Sequence, residues 1–408
     1  MTKPNPPYAM DAPAASLMPF LLQGWRAAET WKCRLWPIAA GLLAFWLALG
    51  VLVAGEPPTR PIVGAIRWDA WTGGEITAQV ERSLGPGKYH SRLPWFAKVG
   101  DDGIVRIDGR PQTIMDQEID FAADAGLDYW AFLLYPEADT MSHALQQYLK
   151  SPKRQRINFC VILHNALSVP QVAWPRERAR LISLLKEPGY QTVLAGRPLV
   201  FEFQARLDGK FPIQRFAELR RAAQESGLNP YYVFMGWNPA ADFSRESANG
   251  FDAVSAYAYG SSDATFAGLW QAVEKHYWQN ALASKVPYVP LVTTGWDKQP
   301  RKENPVSWEK DHDYHQQAVF PSAATPQEIA SHLGDSLKFV MKNREVCAAN
   351  AVIIYAWNEH DEGGWLVPTW TPDGKPNTAR LDAIRRILKR ENTPTRPSSA
   401  PAALPLPR

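Results

Sequence analysis

The segment VIIYAWNEHDEGGW, Val352 to Trp365, determines which fold this chain can adopt. It begins with a continuous apolar run that ends at Trp357 and leads directly into five polar residues, Asn358 to Glu362. A continuous apolar run, in contrast to an alternating one, is typical of a parallel strand that is buried on both faces. The segment therefore predicts a buried strand that opens onto a cluster of ionisable groups.

Similar apolar runs recur along the chain and are separated by stretches with helical spacing of apolar residues. The strand candidates are Val63–Trp68, Asp128–Tyr135, Ile157–His164, Pro198–Gln204, Tyr231–Trp237, Ala253–Tyr257, Tyr288–Thr294 and Ala351–Trp357. The helix candidates are Ile114–Ala125, Ser142–Leu149, Arg176–Leu185, Phe216–Ala223, Phe266–Tyr277, Ile329–Val340 and Leu381–Leu388, with only a weak one after the fifth strand. This alternation predicts an α/β fold of the (β/α)8, or TIM barrel, class. A doubly wound open sheet is the alternative, but no glycine-rich dinucleotide-binding turn follows the first strand.

The composition limits the classes of partner. Of 408 residues, 46% are hydrophobic and 21% are charged, which is typical of a globular protein with a substantial core. The net charge is +3 and no basic stripe is present, so nucleic acid is not an expected partner. The chain is rich in aromatic residues, with 17 tryptophans. The three cysteines form no disulfide framework, and Cys160 and Cys347 are predicted to be buried free thiols.

An uncharged segment, LWPIAAGLLAFWLALGVLVAG, occupies residues 35–55 and is long enough to span a bilayer. Because Arg26, Lys32 and Arg34 precede it, the N-terminus is expected in the cytoplasm. A cleaved signal peptide is the alternative. We predict a single-pass protein of the inner (cytoplasmic) membrane whose main domain lies on the periplasmic or extracellular side. The predicted parts are a cytoplasmic leader (1–34), a transmembrane signal anchor (35–55), a linker (56–62), the barrel (63–390) and a disordered proline-rich tail (391–408).

The C-terminal ends of the strands of such a barrel open onto one face, where active sites of this fold lie. Nearly every run ends in an aromatic or hydrogen-bonding residue, and each taken singly could be an ordinary loop residue. Flat rings interleaved with fixed polar groups suit a carbohydrate, because the rings stack on its C–H faces and the polar groups bind its hydroxyls. The candidate substrate-binding residues are Trp68, Asp69, Trp71, Tyr135, His164, Asn165, Gln204, Trp237, Asn238, Tyr257, Tyr259, Trp296, Asp297, Asn358, His360 and Trp365.

Two glutamates at the end of the last strand, Glu359 and Glu362, are the catalytic candidates. A tight turn after a strand can place side chains three positions apart on the same side, so the two carboxyls could flank one glycosidic bond. Cleavage of that bond requires one protonated carboxyl and one ionised carboxylate. Close like charges push the pKa values of two carboxyls apart and so separate these roles. The alternative is that Glu359 is a structural residue and Glu362 is solvated.

The two glycines that follow, Gly363 and Gly364, would allow the backbone either to approach a sugar or to turn away from it. A metal site could draw on His360, Asp361 and Glu362, or on the DHDYH segment that ends at His315. Neither set has the spacing of a known ligand set, and no metal or other cofactor is expected.

The segment WNEHDEGGWLVPT, from Trp357, resembles the motif of glycoside hydrolase family 99, in which Asn-Glu, two variable residues and Glu-Gly follow a late barrel strand. MDQEIDFAADAGLDYWAFLLY and GAIRWDAWTG are similar to early units of that family. The resemblance implies a (β/α)8 barrel of retaining, endo-acting mannosidases that need no metal. It also implies that Glu359 deprotonates the sugar's own 2-hydroxyl to give a 1,2-anhydro intermediate, that Glu362 is the acid/base, and that Asn358 orients one of them.

The sequence departs from the family at two places. His360-Asp361 stands where the family usually begins with Trp, and Val367 stands where an acidic residue often precedes Pro368. The leading hypothesis is a membrane-anchored glycoside hydrolase that cleaves an envelope or extracellular polysaccharide. The alternative is a carbohydrate-binding or polysaccharide-assembly protein on the same barrel, including a glycosyltransferase-like one, although the sequence has no nucleotide-sugar signature.

Overall fold

The eight apolar runs form eight parallel strands in the computed structural model of the chain, which describes residues 60–203, 212–310 and 312–391. Nearly all of their side chains are buried, as the continuous apolar pattern predicts. The strands are β1 (Ile62–Arg67), β2 (Tyr129–Leu134), β3 (Asn158–Leu163), β4 (Arg197–Phe203), β5 (Tyr231–Met235), β6 (Ala253–Ser255), β7 (Leu291–Thr293) and β8 (Ala351–Tyr355).

The strands are arranged in chain order around a nearly closed barrel. The hydrogen-bonded sheet runs β7-β8-β1-β2-β3-β4-β5-β6, and each neighbouring pair is parallel. The seam between β6 and β7 is bridged at Val254, whose N–H donates to the carbonyl of Pro287 at 2.9 Å and whose carbonyl accepts from Val289 at 3.0 Å. The C-terminal ends of all eight strands therefore meet at one face.

The helices lie between the strands. They are α1 (Gly74–Leu84), α2 (Gln112–Ala125), α3 (His143–Lys150), α4 (Trp174–Leu185), α5 (Ile213–Glu225), α6 (Pro239–Glu246), α7 (Phe266–Val273), α8 (Gln279–Ser284), α9 (Gln299–Glu303), α10 (Pro326–Lys342) and α11 (Ala379–Glu391). The predicted helices are present, whereas α1, α8 and α9 are not among the sequence-based predictions. Two short hairpins pair Lys98–Val99 with Val105–Arg106 and Asn358–Glu359 with Gly364–Trp365, and a short strand, Thr192–Val193, pairs antiparallel with the start of β4.

The Tyr129 side chain ties together three successive strands of the barrel, β8, β1 and β2. A Cβ atom on Gly64 of β1 would lie only 2.2 Å from the Tyr129 ring of β2, so the glycine makes room for that ring. The Tyr129 hydroxyl donates across β1 to the carbonyl of Val352 on β8 at 2.9 Å. Three neighbouring strands are thereby joined by one buried side chain, and β8 delivers its polar C-terminal end to a fixed place.

The structure confirms the TIM barrel and the two buried free thiols, Cys160 and Cys347. The predicted leader and transmembrane anchor, and the tail beyond residue 391, lie outside the described residues. Within the parts of the chain that are described, no helix combines the length and apolar character needed to cross a bilayer.

Candidate active site

The two glutamates lie on a hairpin that follows β8. Asn358–Glu359 pairs antiparallel with Gly364–Trp365, and a single 3-10 turn, His360–Glu362, connects the two short strands. Glu359 is 2% exposed and Glu362 is 8% exposed. The tight turn predicted from the sequence therefore exists, and it places both carboxyls at the C-terminal end of the barrel.

Glu359 lies in an environment that favours its neutral form. Burial raises its pKa well above the usual range, and the negative charge of Glu362 raises it further. The Tyr257 hydroxyl, from the segment after β6, hydrogen-bonds to Glu359 Oε1. This bond and the charge of Arg301 oppose the rise in pKa but do not reverse it.

Glu362 lies among groups that favour a carboxylate. Arg301 donates to its Oε1, and Lys298 Nζ lies 3.2 Å from its Oε2. The Tyr355 hydroxyl donates to Oε2 at 2.9 Å. Two cations and one phenol donor stabilise the ionised form of this side chain.

The two carboxyls are close neighbours. The tyrosines that hold them, Tyr257 and Tyr355, are in edge contact with ring centroids 5.7 Å apart. The negative charge of Glu362 also acts on Glu359 and raises its pKa. The site therefore contains one buried carboxyl whose pKa is raised beside one that contacts two cations.

Arg301 is the centre of a buried ion network. It is 1% exposed and binds Asp361 with two nitrogens, Nε at 2.7 Å and Nη2 at 3.2 Å. Its Nη1 also donates to Glu309 at 2.9 Å, and Lys298 donates to the same carboxylate at 2.7 Å. Burial opposes the ionisation of Glu309, but the two cations outweigh it and lower its pKa to about 2. The network fixes the turn that carries Glu362.

Asn358 connects the hairpin to β1. Its Oδ1 accepts from the main-chain N–H of Trp68 at 2.9 Å, and its Nδ2 donates to Asp69 at 3.1 Å. Arg67 holds Asp69 in turn at 2.7 Å, and burial raises the pKa of Asp69 to about 6 although Arg67 opposes this. Asn358 makes no hydrogen bond to either glutamate; it positions the backbone on which Glu359 stands.

Aromatic side chains form a continuous series around the face that carries the glutamates. Neighbouring rings in ring contact have centroids 4.2 to 6.2 Å apart. Trp68 and Tyr135 are instead joined by a hydrogen bond, in which Trp68 Nε1 donates to the Tyr135 hydroxyl at 3.0 Å. Trp237 contacts this series through Phe203 and is 53% exposed. The series is Trp308, Trp68, Tyr135, His164, Phe203, Tyr257, Tyr355 and Trp296.

Three other predicted binding residues lie behind the hairpin. His360 stacks on Trp365 at 5.8 Å and meets the edge of Trp71 at 5.6 Å, and all three are buried. His360 Nδ1 donates to the carbonyl of Arg92, and burial lowers the pKa of His360 to about 3. These rings pack the loop from behind and offer little surface to a ligand.

The remaining predicted residues are dispersed. Asn238 is exposed and caps α6 by accepting from Ala241 N–H at 3.1 Å. Tyr259 is half-buried and stacks on His276. Asp297 pairs with Arg92. Asn165 opens a 3-10 turn after β3, and Gln204 lies outside the described residues.

Sequence reasoning missed several site residues: Arg301, Lys298, Glu309, Tyr355, Phe203 and Trp308. The segment WDKQPRKE from Trp296 places three basic residues just after β7, and this signal could have identified two of them, Lys298 and Arg301. Tyr355 and Phe203 are hidden inside apolar strands, where nothing in the sequence distinguishes them from core residues.

The glycines turn the loop rather than approach a ligand. Gly363 has φ +86°, and a Cβ atom there would lie 2.4 Å from the main-chain nitrogen of Asp297. A Cβ atom on Gly364 would lie 2.5 Å from the Tyr355 ring. Close packing lets the N–H of Asp297 donate to the carbonyl of Glu362 at 2.7 Å, which joins the β7 and β8 loops.

The candidate metal ligands do not form a cluster. His315 contacts the carbonyl of Glu309, and Asp361 is engaged by Arg301. In the described ranges, no three His, Cys, Asp or Glu side chains are grouped so that they could hold a metal ion.

A nearly closed (β/α)8 barrel with a buried carboxyl pair at the end of β8 and an aromatic series around it defines a glycoside-hydrolase-like barrel. No protein-family model matches the sequence, and a comparison with curated proteins finds no match.

Solved structures do match. Two structures of the GH99 endo-alpha-mannosidase from Bacteroides thetaiotaomicron align with TM-scores of 0.52 and 0.51 at 10% and 12% identity. The alignments cover 82% and 81% of this chain and 98% of the mannosidase. A family 39 glycoside hydrolase from Bacteroides cellulosilyticus WH2 aligns at a TM-score of 0.41 and 12% identity, over 82% of this chain and 64% of that one. The two mannosidase structures confirm, at the level of the fold, the resemblance predicted from the motif.

Replacing Arg301 by glutamine should strongly destabilise the protein. The substitution leaves Asp361 buried without a cation, and breaking a buried ion pair on one side costs about 3–5 kcal/mol. Urea denaturation measures this loss. The matched control is Arg110→Gln, because Arg110 pairs with Asp108 on the surface, where such pairs contribute little. Equal denaturation midpoints for the two variants would show that the network does not support the fold.

Proposed function

We propose that this chain is a glycoside hydrolase that cleaves O-glycosidic bonds of a polysaccharide with Glu359 and Glu362. The observation that carries the proposal is the difference between the two carboxyls: burial raises the pKa of Glu359, whereas Arg301 and Lys298 surround Glu362. Hydrolysis of a glycoside needs a proton donor and an ionised carboxylate on either side of one bond. The pair supplies both without a cofactor.

In the proposed mechanism Glu359 is the general acid and Glu362 is the nucleophile. Glu359 gives its proton to the leaving glycosidic oxygen while a Glu362 oxygen bonds to the anomeric carbon. Water then displaces Glu362 and gives its proton to Glu359, which restores both groups. This assignment differs from the roles that the family resemblance implies, in which Glu359 deprotonates the sugar's own 2-hydroxyl and Glu362 is the acid/base; it follows from the raised pKa of Glu359 and from the cations that contact Glu362.

The mechanism is proposed to retain the anomeric configuration. Retaining enzymes hold their two carboxyls about 5–5.5 Å apart, whereas inverting enzymes leave room for a water molecule between them. The contact between Tyr257 and Tyr355, which hold the two glutamates, supports the shorter separation.

The aromatic series supports a carbohydrate as the substrate. Trp237 and Trp308 are exposed and Trp296 is half-buried, so their ring faces are available to stack on sugars. The described face offers several such rings, which favours a polysaccharide over a single sugar.

We further propose that residues 35–55 anchor the chain in the inner membrane, with the barrel on the periplasmic or extracellular side. The uncharged segment and the preceding Arg26, Lys32 and Arg34 support this topology. Alkaline phosphatase fused after residue 60 should be active, and the same enzyme fused after residue 30 should be inactive, because phosphatase folds only outside the cytoplasm. The reverse pattern would place the barrel in the cytoplasm.

Replacing either glutamate by glutamine should abolish hydrolysis. Loss of a general acid or nucleophile lowers turnover by about 10²–10⁴-fold. The full chain is first tested on α- and β-linked mannans, glucans and bacterial exopolysaccharides, and Glu359→Gln and Glu362→Gln are then assayed by reducing-sugar release. The matched control is Glu225→Gln, an exposed residue at the end of α5.

The same variants test the assignment of roles. An aryl glycoside with a good leaving group departs without protonation, so Glu359→Gln should lose far less activity on it than Glu362→Gln. Equal losses would contradict Glu359 as the acid. Glycan binding by the wild-type chain without turnover of any glycoside would favour the binding-protein alternative.

Replacing Tyr257 by phenylalanine should move the alkaline limb of kcat/KM to higher pH. An acid acts only while protonated, so activity is lost as pH rises through the pKa of Glu359. The Tyr257 hydrogen bond lowers that pKa, and its removal therefore preserves the protonated form to higher pH. Tyr259→Phe, outside the pair, should leave the profile unchanged. A shift of the acidic limb instead would indicate that Glu359 acts as a base.

A further inference from the structure

A cavity lies beside the hairpin that carries the two glutamates. Its volume is about 450 Å³. Of the charged residues that line it, only Asp297 is among the predicted substrate-binding residues. It lies between the β7 loop, the segment around Arg92 and the start of α11. Its lining includes Lys88, Arg92, Asp297, Trp365, Asn377 and Arg380.

Two of the three cations in the cavity are neutralised by carboxylates. Arg92 pairs with Asp297, and Lys88 pairs with Glu303 at 2.7 Å. The third, Arg380, donates only to main-chain carbonyls, those of Trp365 at 2.8 Å and Ala324 at 3.1 Å. No carboxylate in the described ranges lies within ion-pairing distance of Arg380, so its charge is uncompensated.

The surroundings of Arg380 make that charge unfavourable in the free protein. Burial and the nearby charge of Arg92 lower its pKa to about 9. Its guanidinium lies 3.6 Å from the ring centroid of Trp365. The helix α11 begins at Ala379, which also lines the cavity, and the partial positive charge of a helix N-terminus adds to that of the arginines.

We propose that this cavity binds an anionic oxygen group, a carboxylate or a sulfate ester, carried by a sugar of the polysaccharide that the barrel hydrolyses. An anion supplies the missing countercharge of Arg380, and a guanidinium matches the geometry of two oxygens. The inference rests on the proposed function for the identity of the polymer, but the anion site itself follows from the residues of the cavity.

Proximity to the glutamates allows one chain of sugars to occupy both places. Asp297, in the lining, donates from its N–H to the carbonyl of Glu362 at 2.7 Å. Trp365, also in the lining, stacks on His360 of the same turn. Because His360 and Arg380 both lie against the Trp365 ring, the cavity offers charge rather than a stacking surface, which favours an acidic sugar over a neutral one.

The test compares D-glucuronate, D-glucose and inorganic sulfate as ligands of the full chain, measured by tryptophan fluorescence at constant ionic strength. The Glu359→Gln variant is used, so that hydrolysis does not interfere with the binding measurement. Glucuronate and sulfate should bind, and glucose should bind at least about 10-fold more weakly, as expected for loss of a charge-assisted hydrogen bond. Equal binding of glucuronate and glucose would overturn the proposal. Binding of sulfate alone would show a site for a free anion and overturn its assignment to a sugar.

Arg380→Gln should weaken glucuronate binding about 10-fold. The matched control is Arg221→Gln on the exposed face of α5, which should bind like the parent chain. If Arg380→Gln does not fold, Lys88→Gln, a change at an exposed residue of the same cavity, should weaken binding about twofold. Parent-like affinity in a folded Arg380→Gln chain would contradict the assignment. Because binding is measured without turnover, failure to detect hydrolysis would reject the proposed function while leaving the anion site standing.

Discussion

The ion network around Arg301 is the interaction on which the geometry of the site depends. Arg301 comes from the loop after β7 and holds Asp361 and Glu362, which lie on the turn after β8. A buried guanidinium with several carboxylate partners has one low-energy arrangement, since any displacement leaves a charge unpaired in a medium of low dielectric constant. The network therefore converts two separate loops into one rigid support for the proposed catalytic pair.

Backbone packing makes the same junction tight. Gly363 can adopt a left-handed conformation, and its lack of a Cβ atom lets the main chain of Asp297 approach closely. The N–H of Asp297 is thereby satisfied by the carbonyl of Glu362. Ion pairs from side chains and a hydrogen bond from the backbone thus hold the same turn. Together they keep Glu362 close to Glu359.

The sequence predicts the fold well because each barrel strand carries its own signal. The run that ends at Trp357 is apolar throughout, and its burial on both faces follows from that pattern alone. It also predicts that Glu359 and Glu362 lie at the strand end.

The partners of the glutamates are not predictable in this way. Arg301 lies 61 residues from Glu362, and nothing local indicates that these two side chains meet. His360 and Trp365 follow the same strand, yet they pack behind the loop, where His360 stacks on Trp365 and donates to the carbonyl of Arg92.

The protonation state of Glu359 follows from the number of charges as much as from its own burial. Four carboxyls, those of Glu309, Glu359, Asp361 and Glu362, share two buried cations, Lys298 and Arg301. Arg301 contacts three of these carboxyls directly, and Glu359 is the one that it does not touch. Ionising all four would leave two unbalanced negative charges in a region with little solvent, which is strongly unfavourable. Glu359, the carboxyl that no cation contacts directly, has a pKa raised well above the usual range by burial and by the charge of Glu362, and the Tyr257 hydroxyl hydrogen-bonds to it. Arg301 and Lys298 thus pair directly with the three carboxylates around Glu359, whereas Glu359 lies buried beside the negative charge of Glu362, and burial and that charge together raise its pKa.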